Sequence, residues 1–235
     1  MAKFEKSIIC TFVVVLSLTF VALGSNITSF GPIQGFELVL QWYGSYCNQE
    51  DVECCYPTTG KPTPNFTIYG FWPHDGNNRY PSECGGGGSV VPIKSLEGRL
   101  QQAWPSFYCD EPARELWLDQ WRIRGTCCVS LFNETVYFEN AINLQNKIDV
   151  LQVFSRVGIT PNNRFYPLGV IRKVVTSAFG HEPIVTCTEN KKGQSQIWRI
   201  VVCVDKSGTN FVKCQFTLPK SDCQSNVLFP TYYTS

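Results

Sequence analysis

Histidine is nearly absent from this 235-residue chain, which carries only His74 and His181, together with a single methionine. So few imidazoles leave little material for acid–base chemistry near neutral pH, where histidine alone titrates without perturbation. An excess of charge is missing too. Lys and Arg number 20 against 19 Asp and Glu, a formal net charge of +1. That balance excludes the electrostatic footprint of a non-specific nucleic-acid binder. No C-x-x-C spacing occurs, so structural zinc is not expected, and nothing in the sequence calls for a metal or other cofactor. Beyond residue 24 no segment is apolar enough to span a bilayer, which predicts no membrane association.

What is present points to an oxidising compartment. Lys3 and Lys6 precede an uncharged apolar run, Ile8 to Leu23, and small residues follow at Ala22 and Gly24. That layout predicts a secretory signal peptide over 1–24 and one mature domain over 25–235, with an extracellular or vacuolar destination. Removing the leader takes away Lys3, Lys6 and Glu5, so the 20 and 19 charges fall to equal numbers and the mature chain is neutral. Three sequons, at Asn26, Asn65 and Asn133, fit a glycoprotein, although Asn65 immediately precedes an expected buried strand. Of the 12 cysteines, Cys10 leaves with the leader. The remainder is odd, so one cysteine is unpaired or available for an intermolecular bridge.

At 43% hydrophobic and 17% charged, the chain is able to bury a core. Gly35 to Trp42 alternates like a strand, residues 47–64 read as a Cys- and Pro-rich loop, and Phe66 to Trp72 reads as a buried strand stopped by Pro73. Polar, Gly-rich residues 74–89 read as loop, which makes His74 a solvated loop histidine. Helices are predicted over Ser95–Ala103, Pro112–Arg124, Asn140–Val157 and Leu168–Phe179, and strands over Ile184–Cys187, Gln196–Val204 and Phe211–Leu218. Strands at both ends with helices between them give a single α+β domain around a central antiparallel sheet, stapled by disulfides.

Two segments carry a resemblance. Phe66 to Pro73 reads FTIYGFWP, and Leu116 to Cys127 reads LWLDQWRIRGTC. They resemble the two active-site segments of the ribonuclease T2 family, usually FTIHGLWP and FWxHEWxKHGTC. The likeness extends to QWYGSYC from Gln41 and to the ending Cys223–Pro230, and is similar in detail to the plant S-like ribonucleases. The resemblance implies the disulfides Cys47–Cys54, Cys55–Cys109, Cys84–Cys127, Cys187–Cys223 and Cys203–Cys214, with Cys128 unpaired. It also implies cleavage of single-stranded RNA by attack of the ribose 2′-OH, through a 2′,3′-cyclic phosphate.

The residues that such chemistry needs are replaced. The resemblance places the family's histidines, glutamate and lysine on Tyr69, Asp119, Gln120, Ile123 and Arg124. A tyrosine has a reference pKa of about 10 and exchanges protons poorly at neutrality. Arginine stays protonated, glutamine does not titrate, isoleucine removes the cation, and Asp119 brings a negative charge toward the phosphate position. His181 follows the helix ending near Gly180, away from either motif. Trp117, Gln120, Trp121 and Arg124 recur at i, i+3, i+4 and i+7, so one face of that helix points inward. Retained packing with lost chemistry predicts a pseudoenzyme, a monomer with a storage, defence or stress role. Two other readings stay open. One is an active extracellular endoribonuclease with an altered mechanism. The other is a non-cleaving module that binds single-stranded RNA or a nucleotide weakly through Tyr69, Trp72 and Arg124.

Overall fold

A computed structural model describes residues 31–57, 59–77, 79–85, 93–215 and 222–232; the expected leader and the Asn26 sequon lie outside them. Six strands form one sheet: β1 (Gly35–Gln41), β2 (Thr67–His74), β3 (Arg164–Pro167), β4 (Ile184–Glu189), β5 (Ser195–Val204) and β6 (Asn226–Phe229). The order is β2-β1-β5-β6-β3, with β4 paired to the other side of β5. Every pairing is antiparallel except the short parallel contact of β5 with β6. The fold is therefore α+β.

The registers sort the side chains onto two faces. Phe36, Leu38 and Leu40 of β1 lie opposite Pro73, Phe71 and Ile68 of β2 and opposite Val204, Val202 and Ile200 of β5. A one-turn helix, α1 (Tyr43–Tyr46), follows β1, and this face packs under helices α2 (Glu97–Ala103) and α4 (Glu134–Lys147). Tyr137 of α4 donates its hydroxyl to the Phe71 carbonyl at 2.5 Å. Each fully buried aliphatic or phenylalanine side chain contributes roughly 1.5–3 kcal/mol. Helix α3 (Ala113–Ile123) buries Trp117 and Trp121, and the Trp117 indole donates to the Trp104 carbonyl at 2.8 Å. At the far end Trp42 is sealed in, its Nε1 donating to the Pro230 carbonyl at 3.0 Å. The rings of Phe66, Phe229 and Tyr232 stand 5.1–5.3 Å from it. Among the described residues no helix is long and apolar enough to cross a membrane.

Four expectations need correction. Pro73 does not stop β2, which runs on to His74. Because β2 is the outermost strand of the sheet, the missing proline N–H faces no ladder partner and costs nothing there. His74 is thus a buried strand residue, 2% exposed, rather than a solvated loop residue. The helix expected over Asn140–Val157 starts earlier, because Asn133 caps α4 by accepting the Val136 N–H at 2.9 Å. It also breaks, since Ile148 is extended and Asp149 caps a separate helix, α5 (Val150–Ser155). Of the strand expected over Phe211–Leu218, Phe211 makes one bridge to Val204, residues 212–215 are irregular, and 216–221 lie outside the described residues.

Helix α6 (Leu168–Phe179) ends at Gly180 with φ 77°, a left-handed cap that glycine adopts without strain. Five disulfides join Cys47 to Cys54, Cys55 to Cys109, Cys84 to Cys127, Cys187 to Cys223 and Cys203 to Cys214. Cys128 keeps a thiol, fully buried, that donates to the Gly125 carbonyl at 3.0 Å. Burial pushes that thiol up to about 12. Its sulfur is not presented to a second chain, contrary to an intermolecular bridge.

Candidate functional site

The second face of the sheet carries the candidate site. Reading along β1, it presents Glu37, Val39 and Gln41, opposite Trp72, Gly70 and Thr67 of β2. On the other side lie Cys203, Val201 and Arg199 of β5, and beyond them Ile184 and Thr186 of β4. Two register shifts, between Val39 and Leu40 and between Thr186 and Cys187, leave one extra residue each in β2 and β5: Tyr69 and Trp198. Such bulges re-aim side chains, and here both rings turn onto the Arg199 guanidinium, 3.5 Å from the Tyr69 centroid and 3.6 Å from that of Trp198.

Around Trp72 a second group assembles. Its ring lies flat over Gly70, where a Cβ would meet the indole Nε1 at 2.1 Å, so only glycine leaves room for it. Tyr69 and Tyr80 meet Trp72 edge-on at 5.8 and 6.2 Å, and the Arg124 guanidinium covers it at 5.6 Å. Arg124 also donates to the carbonyls of Tyr80 and Pro81, at 3.4 and 3.1 Å. Tyr80 in turn donates its hydroxyl to Glu37 at 2.7 Å.

The residues singled out from the sequence therefore separate. Tyr69, Trp72 and Arg124 share one face, but Arg124 is held by backbone carbonyls and an indole. The cation against Tyr69 is Arg199, which the motifs did not reveal. Asp119 accepts from the exposed Arg122 at 3.2 Å, so its charge is paired on the surface instead of standing in the cleft. Ile123 contributes its carbonyl, which accepts from the Glu83 N–H at 2.9 Å. The Gln120 Oε1 is buried and unpartnered. His74 lies at the Glu37 end of the face, its Nδ1 accepting the Gly76 N–H at 3.1 Å, and burial lowers its pKa. His181 sits in the turn after α6.

Comparison with known proteins places this geometry. The model of the ribonuclease T2 family matches residues 33–214. The chain belongs to the ribonuclease T2 family. It is 37% identical over 201 residues to the extracellular ribonuclease LE of Solanum lycopersicum, covering 84% of this chain and 86% of that protein. A ribonuclease-like storage protein of Panax ginseng is 27% identical over 210 residues, covering 89% of this chain and 87% of that protein. The crystal structure of RNase NT in complex with 5′-AMP superposes with a TM-score of 0.79 at 34% identity, over 85% of this chain and 98% of that one. Plant ribonucleases thus share this T2 scaffold, bulged face included in the matched span.

Glu37 is the other residue that sequence reasoning passed over. It is 3% exposed, and burial, opposed by the Tyr80 hydrogen bond, raises its carboxyl to about 7. The folded form then keeps a proton that the unfolded chain releases from about pH 4.5 upward, so stability falls as pH rises through 7. A shift of that size corresponds to about 3 kcal/mol. Glu37→Gln is expected to flatten this loss. Denaturant midpoints at pH 5 and pH 8.5 should differ less in the variant, and an unchanged difference would assign the pH dependence elsewhere.

Proposed function

We propose that this chain is a secreted ribonuclease T2 homologue that does not turn over RNA and serves as a storage, defence or stress-related protein. One observation carries the reading. A phenol and a guanidinium stand where the reaction needs two groups that take and give a proton, and each is already engaged, Tyr69 by Arg199 and Arg124 by Trp72 and two carbonyls. General acid and base catalysis each contribute typically 10²–10⁴-fold, so losing both removes most of the rate. Glu37 titrates near neutrality but is buried beneath the Tyr80 hydroxyl, out of reach of a ribose.

The leader-like N-terminus supports secretion, and the storage protein of Panax ginseng supports a non-catalytic role on the same scaffold. Incubation with single-stranded RNA tests the proposal: no product above a heat-denatured control is expected. Turnover that disappears in Tyr69→Phe would overturn it.

A further inference from the structure

The face beside Tyr69 holds a concentration of unpaired polar atoms. Across four strands Thr67, Gln41, Arg199 and Thr186 stand side by side in one row. The Thr67 Oγ1, Gln41 Oε1, Arg199 Nε and Thr186 Oγ1 are all buried without a hydrogen-bond partner among the described residues, as is Nε1 of the bulged Trp198. Thr67 and Gln41 are 1% and 2% exposed. Folded proteins pair nearly all such groups, and leaving one unpaired is costly. Arg199 makes no ion pair among the described residues. The groups that favour its charge are phenols: Tyr69, which also hydrogen-bonds it, and at longer range Tyr108 and Tyr46.

We propose that this row is a binding site for a phosphate monoester group, centred on Arg199; it rests on the reading of the cleft as non-cleaving. The Tyr69 and Trp198 rings pack against the guanidinium, its Nε–H stays buried without a partner among the described residues, and guanidinium N–H groups match the oxygens of an oxyanion. The guanidinium, the indole N–H and the two threonine hydroxyls supply donors. Gln41 Oε1 is an acceptor and asks for a donor in return. The monoanion of a phosphate monoester or of inorganic phosphate provides both, several acceptor oxygens and at least one P–OH. Sulfate lacks that proton at neutral pH, and a carboxylate offers only two oxygens.

Isothermal titration of the full chain with inorganic phosphate at pH 6.5, ionic strength held constant with chloride, tests the site. Saturable binding is expected, at least tenfold weaker in Arg199→Gln and in Thr186→Val, with sulfate weaker than phosphate on the wild type. Thr186→Val lies outside the aromatic clamp, so it reads the site even if Arg199→Gln folds poorly. No binding by the wild type, equal binding by the folded variants, or sulfate binding as tightly as phosphate would each overturn the assignment. The same samples are assayed on single-stranded RNA. Turnover with phosphate binding intact would sink the non-cleaving reading alone, and silence without phosphate binding would sink the site alone.

Discussion

Rebuilding the family residues in a chain that also carries Arg199→Gln is expected to raise RNA cleavage by at least about 10⁴-fold, since two proton-transfer groups return together. The variant combines Tyr69→His, Asp119→His, Gln120→Glu, Ile123→Lys and Arg124→His. The structure adds a condition that the motifs did not contain. A histidine at 69 would still lie under the Arg199 guanidinium, which now packs on the Tyr69 ring at 3.5 Å. A cation so close disfavours the protonated imidazole and occupies its open face. Cleavage is therefore expected to be weak in the fivefold variant and to appear fully only when Arg199→Gln is added. Initial rates on a fluorescent single-stranded RNA check this. Equal rates with and without the sixth change would show that Arg199 does not obstruct the site. Silence in both would show that the backbone around the bulge at Tyr69 has itself drifted.

The largest stability effect is expected at Trp42. The side chain is fully buried against Phe66, Phe229 and Tyr232, and it ties the end of β1 to Pro230. Trp42→Ala opens a cavity that the neighbouring rings fill only partly, and it leaves the Pro230 carbonyl without its donor. A loss of about 4 kcal/mol follows from the usual cost of such truncations. Trp42→Phe keeps most of the volume and loses the hydrogen bond, so it should cost less than half as much. Urea unfolding followed by far-UV circular dichroism measures both. A loss below about 1 kcal/mol in the alanine variant would mean that the C-terminal strand contributes little to this corner.

The fold was legible wherever periodicity and punctuation agreed. Leu168–Phe179 has an apolar stripe closed by Gly180, and the helix occupies those residues. The strand at Gly35 is rich in β formers and lies where it was expected. Periodicity failed where a single residue decided the outcome. Asn133 reads equally as a glycan acceptor and as a helix cap, and only the structure shows its Oδ1 on the Val136 N–H. Pro73 breaks a central strand but not an edge strand, and edge status is a property of topology. The short strands β3 and β6 carry too few residues for a pattern to rise above chance.

The site was half legible. The motifs located Tyr69 and Arg124 because substitution within a familiar string is conspicuous. Arg199 and Glu37 belong to no motif. Their signal was a lone charge within an apolar strand, IWRIVV and GFELVL, where an ionised side chain needs either a partner or a task. Which partner each finds depends on the register across β1, β2 and β5, and on two bulges that no one-dimensional pattern encodes.

The buried thiol of Cys128 gives the molecule a clock. Thiol–disulfide exchange and alkylation both proceed through the thiolate, and this sulfur is both covered and held protonated. Although it follows directly on Cys127, it is kept from scrambling the Cys84–Cys127 bridge for as long as the chain stays closed. Iodoacetamide therefore reaches it only through transient opening, and its labelling rate at pH 8 counts those openings. The count should rise sharply in Trp42→Ala if opening there is global, and stay at the wild-type rate if the thiol is uncovered by a local motion of the segment around Gly125.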